Sequence, residues 1–227
     1  MRRAELLPLI LVFAAVPLSV GQESPTTKST TKRVAIQTCG PVAEGVLKCP
    51  RFGFTYKTIF GWVDRTDEMR PDSESEKPES DKLESGAAGT PQGTKSETLL
   101  AVFERPPAAP GDTINSAVVI VAESLADYHG IKTAADYFGP ITELADQRGF
   151  KVENEPQAFS VGTKQLVRGD FSKERGKLTM WQSSLVMIEK GYIISFTFVG
   201  GSEEEVESLM GNLSFGARLS AAAPPTL

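Results

Sequence analysis

From residue 156 to residue 199 the sequence reads as strands joined by tight turns, and no other stretch restricts the fold as strongly. Residues 156–161 run into Gly162-Thr163, residues 165–171 into a hairpin loop at 173–176, and residues 178–189 into Lys190-Gly191. Residues 192–199 complete the series. Strands joined by such short loops are antiparallel neighbours, because a parallel partner needs a crossover of about a dozen residues. In the last strand Tyr192, Ile194, Phe196 and Phe198 share one face, while Ser195 and Thr197 take the other. That alternation predicts one face on a core and one more polar face.

Upstream, residues 52–63 carry Phe54, Tyr56, Ile59, Phe60 and Trp62, interrupted by Gly, and suit a strand with a bend. Residues 98–104 and 114–122 are β-branched or apolar runs of strand length, separated by Pro106-Pro107 and Pro110-Gly111. Helical spacing then places Ala134, Tyr137, Phe138, Ile141, Leu144 and Ala145 on one face. Thr133 and Asp136 form a capping pair, Gly139-Pro140 kinks or restarts the helix, and Gly149 closes it. A second helix starts at Ser202, with Glu205 in the reciprocal capping position and Glu203 and Glu204 complementing the helix dipole. Val206, Leu209, Met210 and Leu213 are its apolar stripe, and Phe215 packs after it. The sum is an α+β chain, an antiparallel β-sheet flanked by helices.

The N-terminus bears on compartment. Met1-Arg2-Arg3, an apolar run from Leu6 to Leu18, and Ser19-Val20-Gly21 before Gln22 have the three regions of a secretory signal peptide over residues 1–21. The run is shorter than the roughly 20 apolar residues a membrane-spanning helix needs, and no later segment approaches that length. The expectation is a secreted or periplasmic protein. Residues 22–51 read as an N-terminal linker, Ser/Thr-rich at its start, that holds the only two cysteines, Cys39 and Cys49. In an oxidising compartment such a pair is expected to form one disulfide. A redox or metal role would call for C-x-x-C or C-x(2–4)-C spacing instead. Residues 52–216 form the expected domain, interrupted by an insertion at 64–97 that is rich in charge, Pro, Gly and Ser and is expected to be disordered. Its acidic run lacks the spacing of a calcium loop and reads as solvated surface. Residues 217–227 are an expected flexible tail.

The order of these elements carries a resemblance. Gly53-Phe54, Gly61-Trp62, the helix near 133–148, the run Lys190-Gly191-Tyr192-Ile193-Ile194-Ser195-Phe196-Thr197-Phe198, the acidic-capped helix and Leu213-Ser214-Phe215 together resemble the PsbP/Mog1-like superfamily. Arg168-Gly169-Asp170-Phe171 looks like the mid-domain hairpin of its exported bacterial members that have no assigned function. The resemblance covers residues 52–216 outside the insertion and implies an α/β/α sandwich. It also implies protein binding or assembly help without known catalysis. Its motifs are turn glycines and core aromatics, which speak to fold rather than to a site.

Chemistry-bearing patterns are sparse. His129, the single histidine, lies beside Gly130 and reads as a surface residue. A Ser-His-Asp site would have to use it, and no G-x-S-x-G elbow supplies a nucleophile. The phosphate-loop motifs G-x(4)-G-K-[ST] and G-x-G-x-x-G are absent, and no cofactor or metal site is expected. Arg168 and Asp170 are two apart on a strand and so share a face, either as a charge ladder on an exposed sheet face or as a polar binding spot with Trp181 or Tyr192 near it. Trp62 and Trp181 read as core residues, or, where exposed, as binding anchors. Asn212-Leu213-Ser214 matches a glycosylation sequon at a helix end beside a buried position. The formal net charge of −5 offers no basic face for nucleic acid.

These readings lead to an expectation of a non-catalytic exported protein that binds another envelope or secreted protein or stabilises a complex, with a candidate binding surface at Arg168, Asp170, Trp181 and Trp62. The alternatives are a small hydrolase built on Asp170 and nearby carboxylates, and a small-ligand carrier with an apolar cavity between helix and sheet.

Overall fold

A computed structural model describes residues 38–70, 96–106, 108–109 and 111–216. The expected signal peptide, most of the linker, residues 71–95 of the insertion and the tail at 217–227 lie outside them. Among the described residues the chain runs β1 (Val46–Cys49), β2 (Phe54–Lys57), β3 (Val63–Asp64), β4 (Ser96–Phe103), β5 (Ala117–Ser124), α1 (Phe138–Gln147), β6 (Lys151–Val161), β7 (Lys164–Arg175), β8 (Leu178–Glu189), β9 (Tyr192–Gly200), α2 (Glu203–Met210) and β10 (Leu213–Phe215). Single 3-10 turns at Asp67–Met69 and Leu125–Asp127 punctuate it.

Two antiparallel sheets result, a small one ordered β1-β2-β10 and a large one ordered β3-β4-β5-β9-β8-β7-β6. The large sheet grows from the hairpins anticipated above. Gly162-Thr163 joins β6 to β7, and Lys190 and Gly191, both at positive φ, make the turn between β8 and β9. Positive φ at two successive positions matches the twist of paired strands, so this turn favours the hairpin.

The central strands of the large sheet, β5, β9 and β8, are buried on both faces. Ile194, Phe196 and Phe198 of β9 point into one core with Val118 and Ile120 of β5, Leu185 and Met187 of β8, Leu47, Phe54 and Tyr56 of the small sheet, and Val206, Leu209 and Met210 of α2. Ile193 and Val199 of β9 point the other way, into a second core with Val186 of β8 and Tyr137, Phe138 and Ala145 of the α1 region. Each such fully buried side chain contributes about 1.5–3 kcal/mol relative to exposure. The expected helix-flanked sandwich therefore takes an altered form: α1 covers one face, and α2 shares the other with the small sheet. The polar face expected on β9 is covered too. Thr197 is buried there beside Ile193 and Val199, because α1 closes that side.

The Thr133–Asp136 box forms but closes the turns before α1 instead of capping it: the helix expected from about 133 starts at Phe138, and its N-cap Tyr137 makes no side-chain cap bond. The Gly149 and Ser202 signals act as read. Asp136 Oδ2 accepts from the N–H of Lys132 (3.0 Å) and Thr133 (2.8 Å), and Thr133 Oγ1 accepts from Asp136 N–H (3.2 Å). The bonds from Lys132 and then Thr133 hold the Asp136 carboxyl below the usual carboxylate range. The turns after this box restart as α1 at Phe138, leaving Pro140 in the first helical turn, where a missing N–H costs nothing. Gly149 (φ +77°) ends α1: its N–H reaches Asp146 O, and Phe150 N–H reaches Ala145 O, the paired bonds of a Schellman close. Ser202 caps α2 by accepting from Glu205 N–H at 3.2 Å, while Glu205 reaches back to Gly201 N–H (2.8 Å) and accepts from Ser116 Oγ (2.5 Å), tying the helix start to the loop before β5.

Four strand and loop boundaries differ from expectation. The stretch 52–63 is two strands in different sheets, broken by a turn in which Trp62 N–H meets Ile59 O (3.3 Å) and Gly61 takes φ +85°. The linker expected to reach residue 51 ends earlier, because Val46–Cys49 pair with β2 and the Cys39–Cys49 disulfide pins the preceding loop. Closing that ten-residue separation stabilises by about 3 kcal/mol in the chain-entropy account. Residues 64–70 and 96–97, assigned above to the disordered insertion, are ordered: Asp64 is in β3, Ser96 and Glu97 are in β4, and Thr66 Oγ1 accepts from Ala101 N–H at 3.0 Å. Likewise the loop expected at 173–176 shrinks to Gly176-Lys177, because β7 continues through Arg175.

Gly169 of β7 is where α1 meets the sheet, since a Cβ there would lie 2.5 Å from Cε1 of Phe138. Gly169→Ala is expected to lower the unfolding free energy by about 1–3 kcal/mol through overpacking. In a Phe138→Ala background the same change should cost much less, which a denaturant-based double-mutant cycle would show; additive losses would contradict this contact.

Candidate functional site

The Arg168–Asp170 pair forms as a same-strand pair. Arg168 Nε donates to both Asp170 oxygens, at 2.8 and 3.0 Å. The rest of its setting corrects the charge-ladder reading. Asp170 is only 6% exposed and also accepts from Ser183 Oγ of β8 and from Asn154 Nδ2 of β6 (3.2 Å). Arg168 reaches across to α2, its Nη1 2.6 Å from Glu207 Oε1, and its guanidinium lies 5.3 Å from the Phe159 ring centroid. Burial disfavours the Arg168 charge, but the bonds to Asp170 and Glu207 outweigh it and hold the guanidinium above its ordinary value. The pair thus lies under α2 and links helix to sheet.

Strand register assembles these groups. Asp170 stands opposite Ser183 on β8, and an irregularity in β6 on both sides of Asn154 sets that residue opposite Asp170. Around the network lies a cleft of about 30 Å³, walled by Asn154, Arg168, Asp170, Trp181, Ser183 and Glu203. That volume accepts a water or two, or the tip of a side chain, and is far below the roughly 300–1,000 Å³ of small-molecule sites. Three of the four residues singled out from sequence, Arg168, Asp170 and Trp181, therefore meet in one cleft. Ser183, Asn154, Glu203 and Glu207 were missed, since strand register and helix packing bring them in and no local pattern marks them.

Trp62 does not join this cleft. It is partly buried against the core shared by the small sheet and the large one, and it anchors the turn that carries Ile59 and Phe60. Tyr192 lies at the opposite end of the β8–β9 hairpin from Trp181, under the Arg51 guanidinium (4.3 Å) and beside Phe52. His129 is exposed in the turn after β5. Asn212 of the sequon donates its amide to Ser208 O (3.3 Å), and Leu213 beside it is buried.

A second polar centre escaped sequence reading. Glu123, at the end of β5, is fully buried and accepts from the hydroxyls of Tyr128 and Tyr137, whose rings meet edge-on at 5.3 Å. Burial, then the Glu123 charge, pushes the Tyr137 phenol well above its ordinary value. The available signal was alternation: Ala117, Val119, Val121 and Glu123 share one side of β5, so a charge occupies a core-facing position. Among the described residues no three His, Cys, Asp or Glu side chains gather as a metal site, and no helix is long and apolar enough to cross a membrane.

No protein-family model matches the chain, and no curated protein matches it. Solved structures resemble it in part. The cyanobacterial PsbP (CyanoP) of Synechocystis is 13% identical over 79% of this chain and 98% of its own, with a TM-score of 0.43. A protein of unknown function, PA94 from Pseudomonas aeruginosa, is 15% identical over 61% of this chain and 88% of its own, with a TM-score of 0.33. LpqN, involved in cell envelope biogenesis of Mycobacterium tuberculosis, is 13% identical over 56% of this chain and 81% of its own, with a TM-score of 0.31.

Asp170→Ala leaves Ser183, Asn154 and the Arg168 charge without their acceptor under α2. The expected loss is about 3–5 kcal/mol of unfolding free energy, read from urea midpoints, with a smaller loss for the isosteric Asp170→Asn. An unchanged midpoint for Asp170→Ala would contradict the network.

Proposed function

We propose that this chain is an exported, non-catalytic protein with a PsbP/Mog1-like fold that binds another envelope protein or stabilises a complex. The observation that carries this reading is the commitment of the cleft's charges to one another. Asp170 accepts from Arg168, Ser183 and Asn154, and Arg168 is shared with Glu207. A carboxylate engaged in this way is a poor base, so the hydrolase alternative draws no support from it. The small volume likewise gives the ligand-carrier alternative none. What the cleft offers a visitor is the Trp181 ring beside the Glu203 carboxylate. With Arg168 neutralised, this corner suits a cationic side chain of a protein partner, held by cation–π and ionic attraction. The Cys39–Cys49 disulfide and the signal-like residues 1–21 support an oxidising, extracytoplasmic setting.

The test is in-cell photo-cross-linking from position 203, with position 129 as an exposed control distant from the cleft. The expected result is one reproducible envelope-protein adduct from position 203 only, reduced about tenfold by Trp181→Ala, as loss of a single anchor predicts. No adduct, or the same adducts from both positions, would overturn the reading.

A further inference from the structure

Phe60 stands fully exposed, and Ile59 beside it is 39% exposed, so two of the large apolar side chains that the described surface leaves open are adjacent. They occupy a tight turn, not a loose loop. On one side Thr58 donates both its N–H (2.8 Å) and its hydroxyl (3.0 Å) to Gly45 O. On the other, Trp62 N–H closes the turn on Ile59 O, the Trp62 side chain packs against the core, and Val63 pairs with Phe103. Gly61, at φ +85°, supplies the conformation that lets so few residues reverse the chain. The fold thus holds an apolar tip outward at almost no ordering cost to a partner, while the Phe60 ring contributes nothing to its own core.

The charges beside the tip favour one partner. Lys57 directly precedes the turn and stands opposite Val46, and Lys48 lies two residues further along β1, opposite Thr55. Both lysines are exposed on the outer face of the small sheet, and among the described residues neither forms an ion pair. The exposed acidic residues of the adjoining segments are Glu44, in the turn before β1, and Asp64, two residues past Trp62, whose carboxylate is taken up by Thr66. A convex tip of Ile and Phe with Trp at its base, flanked by unpaired lysines, matches an anionic lipid surface. Aromatic rings settle at the headgroup level, and lysines gain from negative headgroups. We propose that the Ile59–Trp62 turn is a shallow insertion point for the surface of an anionic bilayer, with Phe60 entering the headgroup–acyl boundary. Contact through so few side chains is weak and reversible. This inference is independent of the cleft reading.

Trp62 provides a local reporter. The full chain carrying Trp181→Phe retains Trp62 as its single tryptophan, and is mixed with phosphatidylcholine vesicles containing a minority of phosphatidylglycerol, with brominated acyl chains as quencher. The expected result is quenching of Trp62 that falls with added salt and with Lys48→Glu/Lys57→Glu. Phe60→Ser should reduce it by about tenfold or more, the loss expected for one exposed Phe, at an unchanged melting temperature. Because the readout is at Trp62, vesicle binding through residues 6–18 would not imitate it. An unquenched Trp62 in bound chains, or equal quenching with Phe60→Ser, would overturn the proposal. Unquenched Trp62 together with Phe60-dependent cross-links to a protein would assign the tip to a protein pocket instead.

Discussion

Burial of β5, β9 and β8 on both faces is the constraint from which the rest of the structure follows. Successive side chains on a strand point to opposite sides, so one run such as Tyr192–Gly200 can feed two cores only if apolar groups occupy both phases of the alternation. Ile193 and Val199 supply the second phase alongside Ile194, Phe196 and Phe198. With both phases apolar, each face requires a cover. Helix α1 covers one, its approach admitted by Gly169, and the other is divided between α2 and the small sheet. The division has a consequence: α2 lies over β9 and β8 rather than over the whole sheet, Glu207 reaches Arg168 of β7 from its edge, and the cleft forms at the margin of that cover.

The two buried polar centres differ in kind. Glu123 with Tyr128 and Tyr137 joins the end of β5 to the turns before α1, deep in the second core. Arg168 with Asp170, Ser183, Asn154 and Glu207 joins three strands to α2. A buried ion pair adds little stability against an apolar replacement, yet removing one member is costly, so such groups constrain register and docking more than they stabilise. In this fold the Arg168 network aligns β6, β7, β8 and α2 and, as a by-product, walls the site proposed for a partner.

Local features were legible from sequence and non-local ones were not. The hairpins at Gly162-Thr163 and Lys190-Gly191, the Gly149 stop and the Ser202 cap are each decided within a few residues, and each forms as read, while the Thr133–Asp136 box forms but sits in the turns ahead of α1. Two-sided burial was missed because Ser195 and Thr197 signal a polar face, while the cover that buries Thr197 comes from a helix some fifty residues away. The break after Lys57 was missed because Ile59, Phe60 and Trp62 continue an apolar pattern that Gly61 interrupts through backbone geometry alone. In the cleft, the shared face of Arg168 and Asp170 follows from spacing, whereas Ser183, Asn154 and Glu207 arrive through register and helix packing.

The central claim is that the doubly covered strands form the rigid platform to which the other elements attach, and native-state amide hydrogen exchange tests it most directly. The account predicts that the amides of β5, β8 and β9 exchange only through global unfolding, while those of the edge strand β6 and of the small sheet open at lower free energy. Equal protection in β6 and the small sheet, or independent opening of β9, would contradict it.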